Sequence, residues 1–290
     1  MSVTTPAGFA ATGIAAGIKG GDRPDLAVVS NLGPRFAAAG VFTTNRVVAA
    51  PVVWSRRLLA GPEGGQAGHA RAVVLNSGSA NACTGAQGMH DTEATAVRAA
   101  GLLGAEPDQV LVCSTGVIGE RIDMPVLLEG VDVAALALAD TPQAGTDAAT
   151  AIMTTDTVSK EDALTVGAGE QSWTIGGMIK GVGMLAPGLA TMLAVITTDA
   201  VLTPQQAQDA LTSATMRTVN RINSDGCMST NDTVVLLASG ASGTTPSQDE
   251  LDEALTEVMS RLGRRLVADA EGATHDIAIT VSGAVSEEAA

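Results

Sequence analysis

Short apolar runs bounded by turn residues alternate with longer amphipathic stretches along this chain, and that alternation restricts it to a mixed α/β architecture. The runs Leu26–Ser30, Ala39–Thr43, Ala72–Asn76, Val110–Ser114, Trp173–Ile179, Met192–Thr197, Thr233–Ser239 and Ile277–Val281 read as strands. Asp91–Leu103, Asp147–Met153, Pro204–Asn220 and Gln248–Ala270 read as helices. The helix from Pro204 carries a start signal. Thr203 can accept from the free N–H groups of the first turn, and Pro204 stands where a missing N–H costs nothing. Ala60–Gly68 is Gly-rich and polar and reads as a surface loop.

These elements must pack almost without aromatic side chains. Aromatics are 2% of the 290 residues, with no tyrosine, against 46% apolar residues, so the core is assembled from Ala, Val, Leu, Ile and Met. The length suffices for one large or two modest domains. A net charge of −15 disfavours a polyanionic partner such as nucleic acid. Cys83, Cys113 and Cys227 are widely spaced and form no CxxC pair, which argues against a disulfide framework or a structural zinc site. His69, His90 and His275 read as surface residues without metal-ligand spacing, and no metal is expected. Gly17–Gly21 lacks the spacing of a phosphate loop and reads as a turn. The N-terminus has no signal-peptide pattern, and the apolar runs are too short to span a bilayer. The expected setting is the cytoplasm.

Residues 180–193 carry the most functional information. Small and flexible residues lead into Thr191, which precedes the apolar run Met192–Ile196. If the Ala190–Thr191 bond is cut, the new α-amine can act as general base for the threonine hydroxyl. An α-amine has a pKa of roughly 7.7–8.0, so a small downward shift leaves much of it free near neutrality. A Pro-Gly loop entering a core strand is also a common structural feature, and pattern alone leaves both readings open.

Further blocks occur in order: Val41–Asn45 with Ala50–Val52, Asn76–Gly85, Cys113–Gly119, Ala151–Thr157, Ser229–Thr233 and Ala268–Gly272. Together with the segment around Thr191, they resemble the ornithine acetyltransferase family, also called the bifunctional glutamate N-acetyltransferase family. The resemblance implies a layered helix–sheet–sheet–helix sandwich of the self-cleaving, N-terminal-threonine-nucleophile type. It implies cleavage between Ala190 and Thr191 into an α-chain, 1–190, and a β-chain, 191–290, with two of each in a heterotetramer. Family members continue past position 290 with an Asp-Pro-Asn-Trp-Gly-type block and an Asn- and Ser-containing tail. Neither occurs here, so the resemblance implies a site lacking the segment that closes it.

The same resemblance distributes roles. Thr191 is the nucleophile. Thr115 and Gly116 form the oxyanion pair, a hydroxyl and a backbone N–H aimed at one spot. Thr154, Lys180, Thr191 and Glu271 contact substrate, with Lys180 suited to a carboxylate and Glu271 to an ammonium group. An isolated lysine such as Lys180 is otherwise usually a surface residue. Glu271 is expected at the end of the last helix, and Ala273–Asp276 replaces the usual Lys-containing continuation.

The implied reaction is ping-pong transfer of acetyl from N2-acetyl-L-ornithine to L-glutamate through an acetyl-threonine, with no cofactor. Some relatives also accept acetyl-CoA, and these residues leave the donor open. Two alternatives stand beside it. One is an N-terminal-nucleophile amidohydrolase or aminopeptidase, in which water resolves the acyl-enzyme. The other is an inactive fragment that keeps the fold.

Overall fold

The computed structural model describes residues 1–61, 67–184 and 192–286. In chain order the elements are β1 (Phe9–Ile14), β2 (Leu26–Asn31), β3 (Ala37–Phe42), α1 (Ala50–Ala60), β4 (Ala72–Ser79), α2 (Gly85–Leu103), β5 (Val110–Val117) and α3 (Met124–Leu136). There follow α4 (Pro142–Ala151), β6 (Lys160–Val166), β7 (Trp173–Lys180), β8 (Leu193–Thr198), α5 (Pro204–Arg217), β9 (Thr233–Ala238) and α6 (Gln248–Ala268). One sheet has the order β1-β2-β4-β5 and the other β3-β9-β8-β7-β6. Each contains one parallel pair, β4–β5 and β8–β9.

The sheets pack face to face, and the period of two along each strand decides which side chains meet. Leu193 and Val195 of β8, and Val235 and Leu237 of β9, join the core that contains Val73 and Leu111 of the first sheet. The alternating residues Ala194, Ile196, Val234 and Leu236 instead join Leu211 of α5 and Leu255 and Leu262 of α6. Both faces of these strands are therefore apolar, which explains their uninterrupted hydrophobic runs. Each fully buried Val, Leu or Ile contributes about 1.5–3 kcal/mol. Helices α2 and α3 cover the outer face of the first sheet, and α5 and α6 that of the second. The result is the helix–sheet–sheet–helix sandwich.

The edges of the first sheet are closed as well. At β5, Trp54 Nε1 and Ser55 Oγ of α1 donate to the carbonyls of Val110 and Val112, at 3.0 and 2.8 Å. At the opposite edge α4 approaches β1 so closely that a Cβ on Gly13 would lie 2.0 Å from the Asp147 carbonyl oxygen. Helix α5 starts as the sequence predicts: Thr203 accepts from Gln206 N at 3.2 Å and Gln206 Oε1 accepts from Thr203 N at 3.1 Å.

Three expectations need correction. Ile277–Val281 forms no strand, and Ile277 and Ile279 are 78% and 85% exposed. Among the described residues it pairs with no strand of either sheet, and propensity without a ladder partner does not make a strand. Helix α6 ends at Ala268, so Glu271 lies in the turn beyond it rather than on the helix. The predicted helices starting at Asp91 and Asp147 begin earlier, at Gly85 and Pro142, the latter capped by the Thr141 hydroxyl accepting from Ala144 N.

Candidate active site

The end of β5 provides the first component. Gly116 has φ +131°, and a Cβ there would lie 2.3 Å from the Gly78 carbonyl carbon on β4. Only glycine fits both the conformation and the close approach. The parallel register is disturbed here, with Thr115 opposite both Ser77 and Ser79. A bulge of this kind re-aims the side chains at a strand end. Asn231, at the entrance to β9, spans the two sheets beside it. Its Nδ2 donates to the carbonyls of Ala80 and Ser114, at 2.6 and 2.9 Å.

The second component is Lys180, the last residue of β7. It is only 2% exposed, so the surface position usual for an isolated lysine is not the one observed. Its Nζ donates to Thr154 Oγ1 at 2.8 Å and to Thr115 Oγ1 at 3.3 Å. Residues singled out at three separate points of the chain thus meet at one ammonium group. Burial lowers the Lys180 pKa to about 8, against the opposing pull of the Asp156 carboxylate. At neutral pH the group is still predominantly charged.

Glu271 joins the same neighbourhood through its backbone, with its N–H donating to the Val182 carbonyl at 2.7 Å. The end of α6 and the turn that carries it, residues 268–273, border a cavity of about 340 Å³ together with Thr155 and Thr157. Thr154 and Glu271 are exposed, while Thr115 and Lys180 are buried and are not among the residues that line this cavity.

Ala190 and Thr191 lie outside the described residues. The described chain resumes at Met192, whose N–H donates to Asp232 Oδ1 at 3.1 Å, and Leu193 pairs with Lys180 across β7 and β8. Asp232 is completely buried, and burial raises its pKa to about 7 against the hydrogen bond from Met192. Among the described residues its Oδ2 makes no hydrogen bond. Cys113, two positions before Thr115, is buried, and burial pushes its thiol up to about 12. It is therefore a poor nucleophile near neutral pH.

Sequence reasoning assigned no role to the carboxylates around Lys180 and Lys160. Asp156, Asp232 and Asp269 all fall within the quoted blocks, but a carboxylate in such a block carries no sign of burial. Lys160 gave no signal at all, because the neighbouring Glu161 and Asp162 make it resemble a solvated charge cluster. The described residues hold no group of three or more His, Cys, Asp or Glu side chains arranged to bind a metal ion. Among them there is also no helix long and apolar enough to cross a membrane.

Comparison with known proteins places the chain in a family. The ArgJ family pattern matches residues 10–290. The chain belongs to the ArgJ family. It is 56% identical to the arginine biosynthesis bifunctional protein ArgJ of Bifidobacterium longum, over all of this chain and 72% of that protein. Among solved structures it is similar to ornithine acetyltransferase of Mycobacterium tuberculosis complexed with ornithine. The TM-score is 0.60 at 48% identity, covering 66% of this chain and 96% of that one. The L-aminopeptidase D-Ala-esterase/amidase of Ochrobactrum anthropi, a variant of the Ntn-hydrolase fold, shares the fold alone. There the TM-score is 0.54 at 14% identity, over 94% of this chain and 88% of that one.

Proposed function

We propose that this ArgJ-family protein is a glutamate N-acetyltransferase that moves acetyl from N2-acetyl-L-ornithine to L-glutamate through an ester on Thr191. The observation that carries the reading is the convergence of Thr115, Thr154 and Lys180 at one buried ammonium group, at the end of the strand that pairs with the strand following Thr191. The ArgJ relatives' role in arginine biosynthesis and the ornithine bound by the M. tuberculosis enzyme support it.

In this reading the chain cuts itself between Ala190 and Thr191, giving residues 1–190 and 191–290, and two copies of each assemble. The solved M. tuberculosis chain supports the cut. It is matched almost in full, yet it covers a share of this chain close to that preceding Thr191. The freed α-amine takes the Thr191 hydroxyl proton as Oγ1 attacks the acetyl carbonyl carbon. The oxyanion is met by the Gly116 N–H and the Thr115 hydroxyl. Lys180 donates to Thr115 Oγ1, which leaves that hydroxyl's own proton available for the oxyanion. Collapse passes the proton to the leaving nitrogen, and ornithine departs. The α-amine of glutamate then attacks the ester and restores the Thr191 hydroxyl.

Both substrates carry a carboxylate and a nitrogen on one α-carbon. Lys180 and Thr154 suit the carboxylate, and Glu271 suits the ornithine side-chain ammonium. The relatives' designation as bifunctional accords with acetyl-CoA as a second donor. A biosynthetic role of this kind fits the cytoplasm. The test is to follow acetylornithine consumption with and without glutamate. Transfer requires glutamate and yields one acetylglutamate per acetylornithine consumed. Glutamate-independent release of acetate would instead make the protein an amidohydrolase.

A further inference from the structure

The residues at the amino-acid end of the site are tied together by a second, internal cluster. Lys160, the first residue of β6, is 1% exposed. Its Nζ donates to Asp156 Oδ1 at 2.7 Å, Asp269 Oδ2 at 2.5 Å and the Val158 carbonyl at 3.4 Å. An ammonium has three N–H donors, so all of them are committed within the protein. The carboxylates are equally engaged. Asp156 also accepts from Thr154 N at 3.0 Å and from Gly181 N at 2.8 Å. Asp269, which caps the C-terminus of α6, accepts from both the N–H and the hydroxyl of Thr157.

Three of these links lead to a residue at or near a proposed substrate contact. Thr154 is held by its own N–H, Lys180 through the next residue, and Glu271 through Asp269 two positions earlier. A buried ion triad is a poor source of stability, because desolvation offsets most of its attraction and apolar side chains of similar volume often serve as well. It supplies direction instead. Fixed N–H and carboxylate vectors set the spacing between the 154–157 loop, the end of β7 and the turn after α6.

We propose that Lys160 is a positioning residue for the amino-acid substrate, fixing the Thr154–Lys180 pair relative to Glu271 through Asp156 and Asp269. This rests on the reading of those three residues as substrate contacts. The hub holds groups that grip the substrate in the ground state and the transition state alike, so its loss acts on binding and raises KM.

The test compares wild type with Lys160→Met and with the double variant Lys160→Met/Asp269→Leu. The double variant avoids leaving two carboxylates unpaired, so it keeps the experiment decisive if the single variant does not fold. Processing at residue 191 and thermal unfolding report on the fold, and KM and kcat for acetylornithine are measured on the processed protein. The expected result is a KM raised about tenfold or more with kcat within about threefold of wild type. Folded, processed variants with wild-type KM and only a lower Tm would reduce the triad to a structural brace and overturn the proposal. Wild-type protein without acetyl transfer would sink the functional reading itself, and the positioning role with it.

Discussion

Lys180 Nζ lies 2.8 Å from the Thr154 hydroxyl, joining the end of β7 to the loop after α4 across 26 residues of sequence. The same ammonium reaches Thr115 on the other sheet. One buried cation therefore links the proposed oxyanion pair to the proposed carboxylate contact, and its replacement is expected to affect both.

Lys180→Met is expected to weaken acetylornithine use strongly. Truncating one partner of a desolvated charged contact typically costs about 2–5 kcal/mol. Steady-state kinetics on processed protein checks this, with kcat/KM falling by more than about 30-fold. Near-normal kinetics would remove Lys180 from substrate binding.

The depressed pKa of Lys180 predicts a pH signature. Below about 8 the group is charged and can meet a carboxylate, so KM for acetylornithine should rise as pH passes through about 8. Asp156 and Asp232 favour the charged form, while Lys160 and Lys19 oppose it. The stability effect has the opposite sense. Between about 8 and 10.5 the unfolded chain holds the proton more tightly than the folded one, so the contribution of Lys180 to stability increases with pH across that window. Urea unfolding of wild type and Lys180→Met at pH 7 and 10 should show the relative stability of the variant declining with pH. A constant difference would mean that the lysine is not desolvated.

Gly116→Ala should damage the chemistry more than the fold. The added Cβ would meet the Gly78 backbone on β4, and a non-glycine residue at φ +131° is strained by about 1–3 kcal/mol. Displacing an oxyanion donor lowers kcat by roughly 100- to 1000-fold. Single-turnover acetylation of the enzyme measures this step. Acetylation at the wild-type rate would exclude Gly116 from the oxyanion site.

Much of the fold was legible where burial imposes a pattern. The runs in β2, β4, β5, β8 and β9 are apolar because those strands are covered on both sides. β1 escaped notice because Phe9–Ile14 is dominated by Ala, Thr and Gly, and its small residues record the approach of α4 rather than strand propensity. α1 was hidden by Val52, Val53 and Trp54, which favour strands, although Pro51 marks its first turn. The pieces of the site were legible as motifs, but not their connection. Nothing in the string around Lys160 distinguishes a saturated internal hub from a solvated lysine. The burial that makes the difference comes from β6 packing against α6 and the 154–157 loop, contacts distant in sequence.

The central claim is that acetyl passes through Thr191, and quenched-turnover mass spectrometry tests it most directly. Protein incubated with acetylornithine without glutamate, then acid-quenched and digested, should yield a peptide beginning at Thr191 that carries one acetyl group as an ester. Addition of glutamate should discharge it. A processed enzyme that turns over with Thr191 unmodified, or with acetyl on another side chain, would contradict the account.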